Sequence, residues 1–273
     1  MRVLGVGDNV IDRYCHTGIG YPGGNALNFS VYAAMLSADS AYLGIFGSDL
    51  QARHLQQVLT RRQVDISHCL HAEGESGHAN LTLVNGERIF LDSNQGGIRR
   101  EIAMDFILQS ADWLAQFDLM HTSAYSYIDH LLPELAELPG KLSYDFSDDF
   151  NLQQVLPLCR WLDFAFFSCA EDDDDAILPL LTEVHRQGCP VVVATRGAKG
   201  ALLFDGHHWL QQAPQPLTPV DTLGAGDAFI TAFLLQQLSG SGLAHSLKSA
   251  SDFAGKICAL NGSFGDALPL ASL

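Results

Sequence analysis

The stretch "VDTLGAGDAFITAF" (residues 220–233) sets Asp221 and Asp227 around the nearly bare backbone of Gly224, Ala225 and Gly226. Beyond it, Phe229, Ile230, Phe233, Leu234 and Leu238 recur at helical spacing, and Gly240 ends the pattern. The three small residues therefore fall at a helix N-terminus, where unpaired N–H groups and the helix dipole attract anions. Their size lets a phosphate approach the backbone. An aspartate in a first turn is also a common helix-capping choice, worth about 0.5–2 kcal/mol. On this stretch alone the two readings stand level.

A second segment separates them. "GGNALNFSVYAAML" (23–36) begins with Gly23 and Gly24, places Asn28 four residues beyond, and continues as a helix. Glycines there allow close backbone approach to a ligand, and an asparagine offers both donor and acceptor to a hydroxyl. Upstream, "GDNVID" puts Asp8 and Asp12 just past the first strand, the place where α/β sheets bind ligands. Carboxylates in that position suit sugar hydroxyls.

The bulk properties agree. A chain of 273 residues can build one large α/β domain. No apolar run approaches the roughly 18–20 residues of a membrane span, and "RVLGVG" opens as a strand without a cleavage-site pattern. Six cysteines scattered singly point to reduced thiols and a cytoplasmic protein. The net charge of −16 argues against nucleic acid or an anionic membrane as partner. A phosphate handled by such a chain must be neutralised by backbone N–H groups and a metal ion.

Short apolar runs alternate with helical periods, the pattern of an α/β fold with a mostly parallel sheet. Strands are expected at 3–6, 41–46, 119–122, 142–146, 164–167 and 190–194. Helices are expected at 26–36, 50–62, 112–115, 152–158, 174–187, 226–238 and 243–260. No linker divides residues 1–273, so a single domain is expected. Two hairpins interrupt the alternation, with Asn85-Gly86 and Asp205-Gly206 as their turns. The second should extend the sheet edge. The first, within about 78–96, would place Leu81, Leu83, Arg88, Phe90 and Asp92 on one face. That mixed face suits a lid over a site or a homodimer contact, with a plain surface hairpin as the alternative.

Familiar nucleotide motifs fail. Gly140-Lys141 and Gly255-Lys256 lack the serine or threonine of a P-loop, and "GVGDNV" has Val10 where a dinucleotide fingerprint needs glycine. "HCLH" (68–71) and His207-His208 lack the further ligands of a zinc site. Asp172 to Asp175 reads most simply as a solvated helix start.

With these motifs in place, the chain resembles the PfkB (ribokinase-like) family of carbohydrate kinases. "GGNALNFS" with Ser37 and Gly47 follows one family signature, "TRGAKG" (195–200) the nucleotide loop, and "DTLGAGDAFITAF" a second signature in which Thr231 replaces a smaller residue. The resemblance runs through nearly the whole chain and is strongest to the branch acting on fructoselysine and related fructosamines. It implies a three-layer α/β/α sandwich with a small β lid, and use of ATP and Mg²⁺ on a small sugar or sugar–amine substrate. It implies Asp227 as catalytic base, Gly224, Ala225 and Gly226 as anion hole, and Thr195, Gly197 and Gly200 as nucleotide loop. Asp12, Gly23, Gly24 and Asn28 match sugar-contacting positions, with Asp8 and Asn9 added to them. Glu171 matches the glutamate that reaches magnesium through water, although Ser168 stands where that motif has asparagine. Other sugars or nucleosides, and a non-catalytic sensor on the same scaffold, are the competing functions. A retained Asp227 speaks against the sensor.

Overall fold

The computed structural model describes residues 1–84 and 87–270; the Asn85-Gly86 turn and the side chains of 83–88, including Leu83 and Arg88, lie outside the description. Strand β1 (Arg2–Gly7) lies within a large sheet, and the chain then crosses into a smaller one as β2 (Val10–Tyr14) and β3 (Ile19–Gly23). Helix α1 (Asn25–Met35) returns it to β4 (Asp39–Phe46), followed by α2 (Leu50–Arg61) and β5 (Leu70–His71). Strands β6 (Gly77–Val84) and β7 (Glu87–Ser93) rejoin the smaller sheet. Next come α3 (Ile98–Glu101), α4 (Ala111–Leu114), β8 (Leu119–Ser123), α5 (Leu132–Ala136) and β9 (Lys141–Asp145). They are followed by α6 (Leu152–Val155), β10 (Phe164–Ser168), α7 (Asp174–Arg186) and β11 (Val191–Thr195). The hairpin of β12 (Ala201–Phe204) and β13 (Trp209–Gln212) precedes α8 (Ala225–Leu238), α9 (Leu243–Ile257) and β14 (Leu268–Pro269).

The large sheet has the order β13-β12-β11-β10-β9-β8-β1-β4-β5, parallel except for the β12–β13 hairpin at one edge. One core, on the face covered by α1, α2, α8 and α9, contains Phe29, Leu55 and Phe233. The other, under α4 to α7, contains Leu114, Leu135 and Leu181. Burial on both faces explains why "FAFF" in β10 and "VVVA" in β11 are continuously apolar rather than alternating. The architecture is a three-layer α/β/α sandwich. No helix among the described residues is long and apolar enough to cross a membrane.

Element bounds match the sequence reading closely except at two helix ends: the helix expected over 243–260 stops at Ile257, and the second case is more instructive. The helix expected over 152–158 stops at Val155 and continues as a 3-10 turn through Trp161. Pro157 has no N–H to donate there.

The smaller sheet is richer than the sequence suggested. Its order is β14-β3-β2-β6-β7, so the 78–96 hairpin forms two strands of five. Strands β2 and β3 escaped notice because "VIDRY" and "IGYPG" carry charges, glycine and proline. Pro22 is tolerated because β14 pairs only with Ile19 and Gly20. A register shift between Asn80 and Leu81 also corrects the expected face: Leu81 lies opposite Phe90, whereas Asp92 pairs with Asn80 and accepts its side-chain hydrogen bond at 2.6 Å. Asp92 therefore shares the face of Asn80, opposite that of Leu81.

Gly5 lets α1 lie directly on β1: a Cβ there would come 2.1 Å from the Ala26 carbonyl oxygen and 2.4 Å from Ser30 Oγ. Gly5→Ala should cost about 1–3 kcal/mol in chemical denaturation, the usual scale of overpacking. Unchanged stability would show that α1 can move off the sheet without penalty.

Candidate active site

The chain passes between the two sheets at Asp8–Asn9 and returns at Gly23–Gly24, so these residues lie where the sheets meet. Asp8 Oδ2 accepts from Asn25 N at 2.7 Å, and Oδ1 accepts from Ala26 N, Ser123 Oγ and Ser126 Oγ at 3.0–3.2 Å. This carboxylate caps α1 and ties it to the end of β8. All four of these hydrogen bonds come from the protein, three of them on Oδ1, so Asp8 supports the start of α1 whatever else it touches. Asn9 is engaged in the same way, donating to Tyr42 Oη and the Ile45 carbonyl.

Asp12 is buried on β2, and the missing side chain of Gly23 makes room for it: a Cβ on Gly23 would lie 2.0 Å from Asp12 Oδ2. Gly24 is the N-cap of α1 at φ 105°. One turn into that helix, Asn28 Nδ2 donates to Asp227 Oδ2 at 2.7 Å, while Asn28 Oδ1 is buried with no partner. That orphan acceptor fits a hydroxyl donor from a ligand.

Asp227 lies in the first turn of α8, whose N-cap Gly224 has φ 71°. The left-handed backbone selects glycine, and so does packing, since a Cβ would meet Tyr32 Oη at 2.3 Å. At Gly226 a Cβ would touch nothing within 4 Å, so the protein itself leaves that space open. Ala225 N donates to the Thr222 carbonyl at 3.2 Å. Helix geometry leaves the N–H groups of Gly226 and Asp227 without intrahelical acceptors. Asp221 shapes the approach, accepting from Tyr14 Oη, Leu223 N and Gly262 N. Thr231, the departure from the family signature, is buried and donates back to the Asp227 carbonyl at 2.7 Å.

The electrostatics are unusual. Asp227 is half-buried by surface area, yet desolvation of its carboxyl pushes its pKa well above the ordinary carboxylate value. The Asn28 hydrogen bond pulls it down, and the charges of Asp145, Asp8 and Asp12 push it up again. Asp145, at the end of β9, accepts from Asn25 Nδ2 at 2.7 Å and Ser147 N at 2.9 Å. Burial chiefly raises its pKa to about 6, opposed by those two hydrogen bonds and assisted by Asp8 and Asp148. Spacing along the chain does not reveal the Asn25–Asp145 pair: the "DFSD" turn (145–148) has only its place after a strand to mark it.

On the other side, Thr195 ends β11 and the turn Gly197–Lys199 follows. Gly197 and Gly200 have φ 52° and 87°. Arg196 and Lys199, the basic residues of this loop, both hydrogen-bond to the protein, although Arg196 Nε is buried without a partner. Arg196 is buried with Nη1 on Asp174 at 2.6 Å, and Lys199 Nζ donates to the Ala170 and Asp172 carbonyls. Glu171 stands exposed on the turn after β10, the strand next to β11.

Comparisons with known proteins match almost the whole chain. The family model described as pfkB family carbohydrate kinase matches residues 7–157 and 160–267. The chain is 37% identical to a fructosamine kinase of Bacillus subtilis (strain 168), over 98% of this chain and 95% of that protein. It is 33% identical to a fructoselysine 6-kinase of Escherichia coli (strain K12), covering 95% and 98%. The structure of Arabidopsis thaliana ribokinase complexed with ribose and ATP superposes with a TM-score of 0.80 at 18% identity, over 99% of this chain and 96% of that one. The fold is thus ribokinase-like, with the smaller sheet as its β lid. Matched along almost its whole length, the chain belongs to the pfkB family of carbohydrate kinases.

Proposed function

We propose that this chain transfers the γ-phosphoryl group of ATP to the 6-hydroxyl of a fructosamine, a ketose bearing an amine at C1. The single observation that carries the chemistry is the Asn28–Asp227 hydrogen bond, which holds a carboxylate of raised proton affinity at the first turn of α8. The substrate class is supported by the two curated relatives and by charge. The hydrogen-bond partners of Asp8, Asp145 and Asp227 are amides and hydroxyls, so an ammonium substrate would relieve their mutual repulsion.

In the proposed reaction the sugar oxygen attacks Pγ, the bond from Pγ to the β,γ-bridging oxygen breaks, and ADP leaves. Asp227 orients the hydroxyl and takes its proton. First-turn N–H groups at Gly226 and Asp227 hold oxygens of the transferring group, in an opening shaped by Gly224 and Ala225. Asn28 Oδ1 accepts from a sugar hydroxyl, and Asp12 with Gly23 and Gly24 lines the sugar side. Thr195, Gly197 and Gly200 receive the nucleotide. Glu171, an exposed carboxylate at the strand ends, fits a water-mediated contact to Mg²⁺, which would offset phosphate charge. The smaller sheet closes over the sugar, and its edge strand β7 meets a second copy through Ile89, Phe90 and Leu91, which are 44%, 61% and 54% exposed.

An ATP-turnover screen over fructosamine conjugates, free fructose, ribose and adenosine tests the substrate class; preference for ribose or adenosine would overturn it. Asp227→Asn should lower kcat at least about 10²-fold, the scale of a lost general base. Because the fold raises the pKa of Asp227, stability is greatest below the unfolded carboxylate value and declines as pH rises through the folded one. The same variant should therefore melt no lower, and higher at neutral pH; a lower Tm would contradict the charge argument. Asp145→Asn removes a like charge, so the acid limb of the kcat/KM profile should move to lower pH. An unmoved limb would take Asp145 out of the coupling. Phe90→Glu should convert a dimer to monomer in light scattering, and a wild type that is already monomeric would remove the lid interface.

A further inference from the structure

Arg99 is a buried base whose charge interacts with that of Asp8 in the acidic site. It is only 4% exposed, and its Nε and Nη2 are buried without a hydrogen-bond partner. A buried guanidinium with two unmet donors is costly, because its charge and its N–H groups have lost water without replacement. It lies on α3, at the root of the β6–β7 hairpin, where Ile98 N is anchored to the Glu75 carbonyl. The ionisable groups whose charges act on it are Tyr42, Asp8, Tyr127 and its neighbour Arg100. Its guanidinium carbon is 5.7 Å from the Tyr127 ring centroid, and that of Arg100 covers the same ring at 3.9 Å.

The strand order gives the cleft a direction. Along the C-terminal edge of the large sheet, Thr195 ends β11, Asp145 ends β9, Asp8 follows β1 and Phe46 ends β4, while Tyr42, midway along β4, reaches that edge with its hydroxyl, which donates to the Gly7 carbonyl. The nucleotide loop and Arg99 thus occupy opposite sides of Asp8. A substrate whose reacting hydroxyl faces the nucleotide must extend its far end toward β4 and the root of the lid. For a ketose phosphorylated at one terminus, that far end is C1 and whatever C1 carries.

We propose that Arg99 recognises a carboxylate on the amine half of the substrate, so that the enzyme selects sugar conjugates of amino acids over conjugates of simple amines. This rests on the fructosamine reading above. The guanidinium fork matches a carboxylate with paired hydrogen bonds, and the acidic surround of Asp8, Asp145 and Asp148 would repel that group anywhere else in the cleft. Arg100 and Tyr127 flank the position, the ring giving Arg99 a face to pack on.

The test compares fructoselysine with the fructose conjugate of cadaverine, which is the same amine chain without the carboxylate. Wild type should favour fructoselysine by roughly 10- to 100-fold in kcat/KM, mostly through KM, the scale of a charge-assisted hydrogen-bonded pair. Arg99→Gln should abolish that preference while leaving turnover of the cadaverine conjugate within about threefold of wild type. Arg99→Lys should keep part of it, and serves as the decisive variant if the glutamine form fails to fold. Equal loss on both conjugates would make Arg99 a purely structural residue and overturn the proposal. So would a wild type indifferent to the carboxylate. Wild type that turns over free fructose but neither conjugate would instead sink the fructosamine reading, and this inference with it.

Discussion

The site is organised by one hydrogen bond: Asn28 Nδ2 to Asp227 Oδ2, 2.7 Å long, between residues 199 apart in the chain. It joins the first turns of α1 and α8, two helices that pack on the same face of the large sheet. Each helix is seated by its own device. Helix α1 is capped by Asp8 and laid on Gly5, and α8 is turned in by Gly224 over Tyr32. Because Tyr32 belongs to α1, the α8 loop is shaped by the helix whose side chain it must meet. A shift of α1 along the sheet would therefore move the carboxylate's partner and the loop together.

The second constraint is charge. Asp8, Asp12, Asp145 and Asp227 act on one another without a basic side chain among the hydrogen-bond partners of Asp8, Asp145 or Asp227. Such crowding works against the folded state at neutral pH, because the fold favours protonation of Asp145 and Asp227, which would otherwise ionise. What makes it tolerable is the two helix N-termini, whose dipoles favour negative charge. In the proposed reaction the same crowding is useful, because a general base needs proton affinity near the working pH. The nearby cations reinforce the pattern. Arg196 and Lys199 hydrogen-bond to the protein around their own loop, whereas buried Arg99, with Arg100 over the same Tyr127 ring, lies on the side of Asp8 away from that loop.

Much of this was legible in the sequence, for a physical reason that differs by element. The buried strands announced themselves as apolar runs, and α8 by its spacing and its small-residue start. Asn28 stood out because it follows a glycine pair at the head of a helix. The smaller sheet did not announce itself: β2 carries Asp12 and Arg13, β3 carries Pro22, and only the hairpin of β6 and β7 kept a recognisable pattern. A strand that lines a site with one face carries polar residues where a core strand would be apolar, and this hides it from periodicity. Asp92 was assigned to the wrong face because the irregularity at residues 80–81 breaks strict alternation.

By itself the sequence determined the layered α/β class, the ends of the strands, the anion-seeking start of α8 and the residues that mark the family. These are local properties, set by apolar spacing, glycine geometry and helix termini, and a short window of chain contains them. Only the tertiary structure decided how each carboxylate is used. Asp8 and Asp227 look alike in sequence, yet Asp8 is held by two N–H groups and two serines while Asp227 is held by one amide beside open space. Whether Arg196 reaches a phosphate or Asp174, and whether Arg99 finds a partner at all, likewise depends on residues brought together from distant parts of the chain. Hydrogen-bond saturation and burial are properties of that assembly, and no spacing along the sequence encodes them.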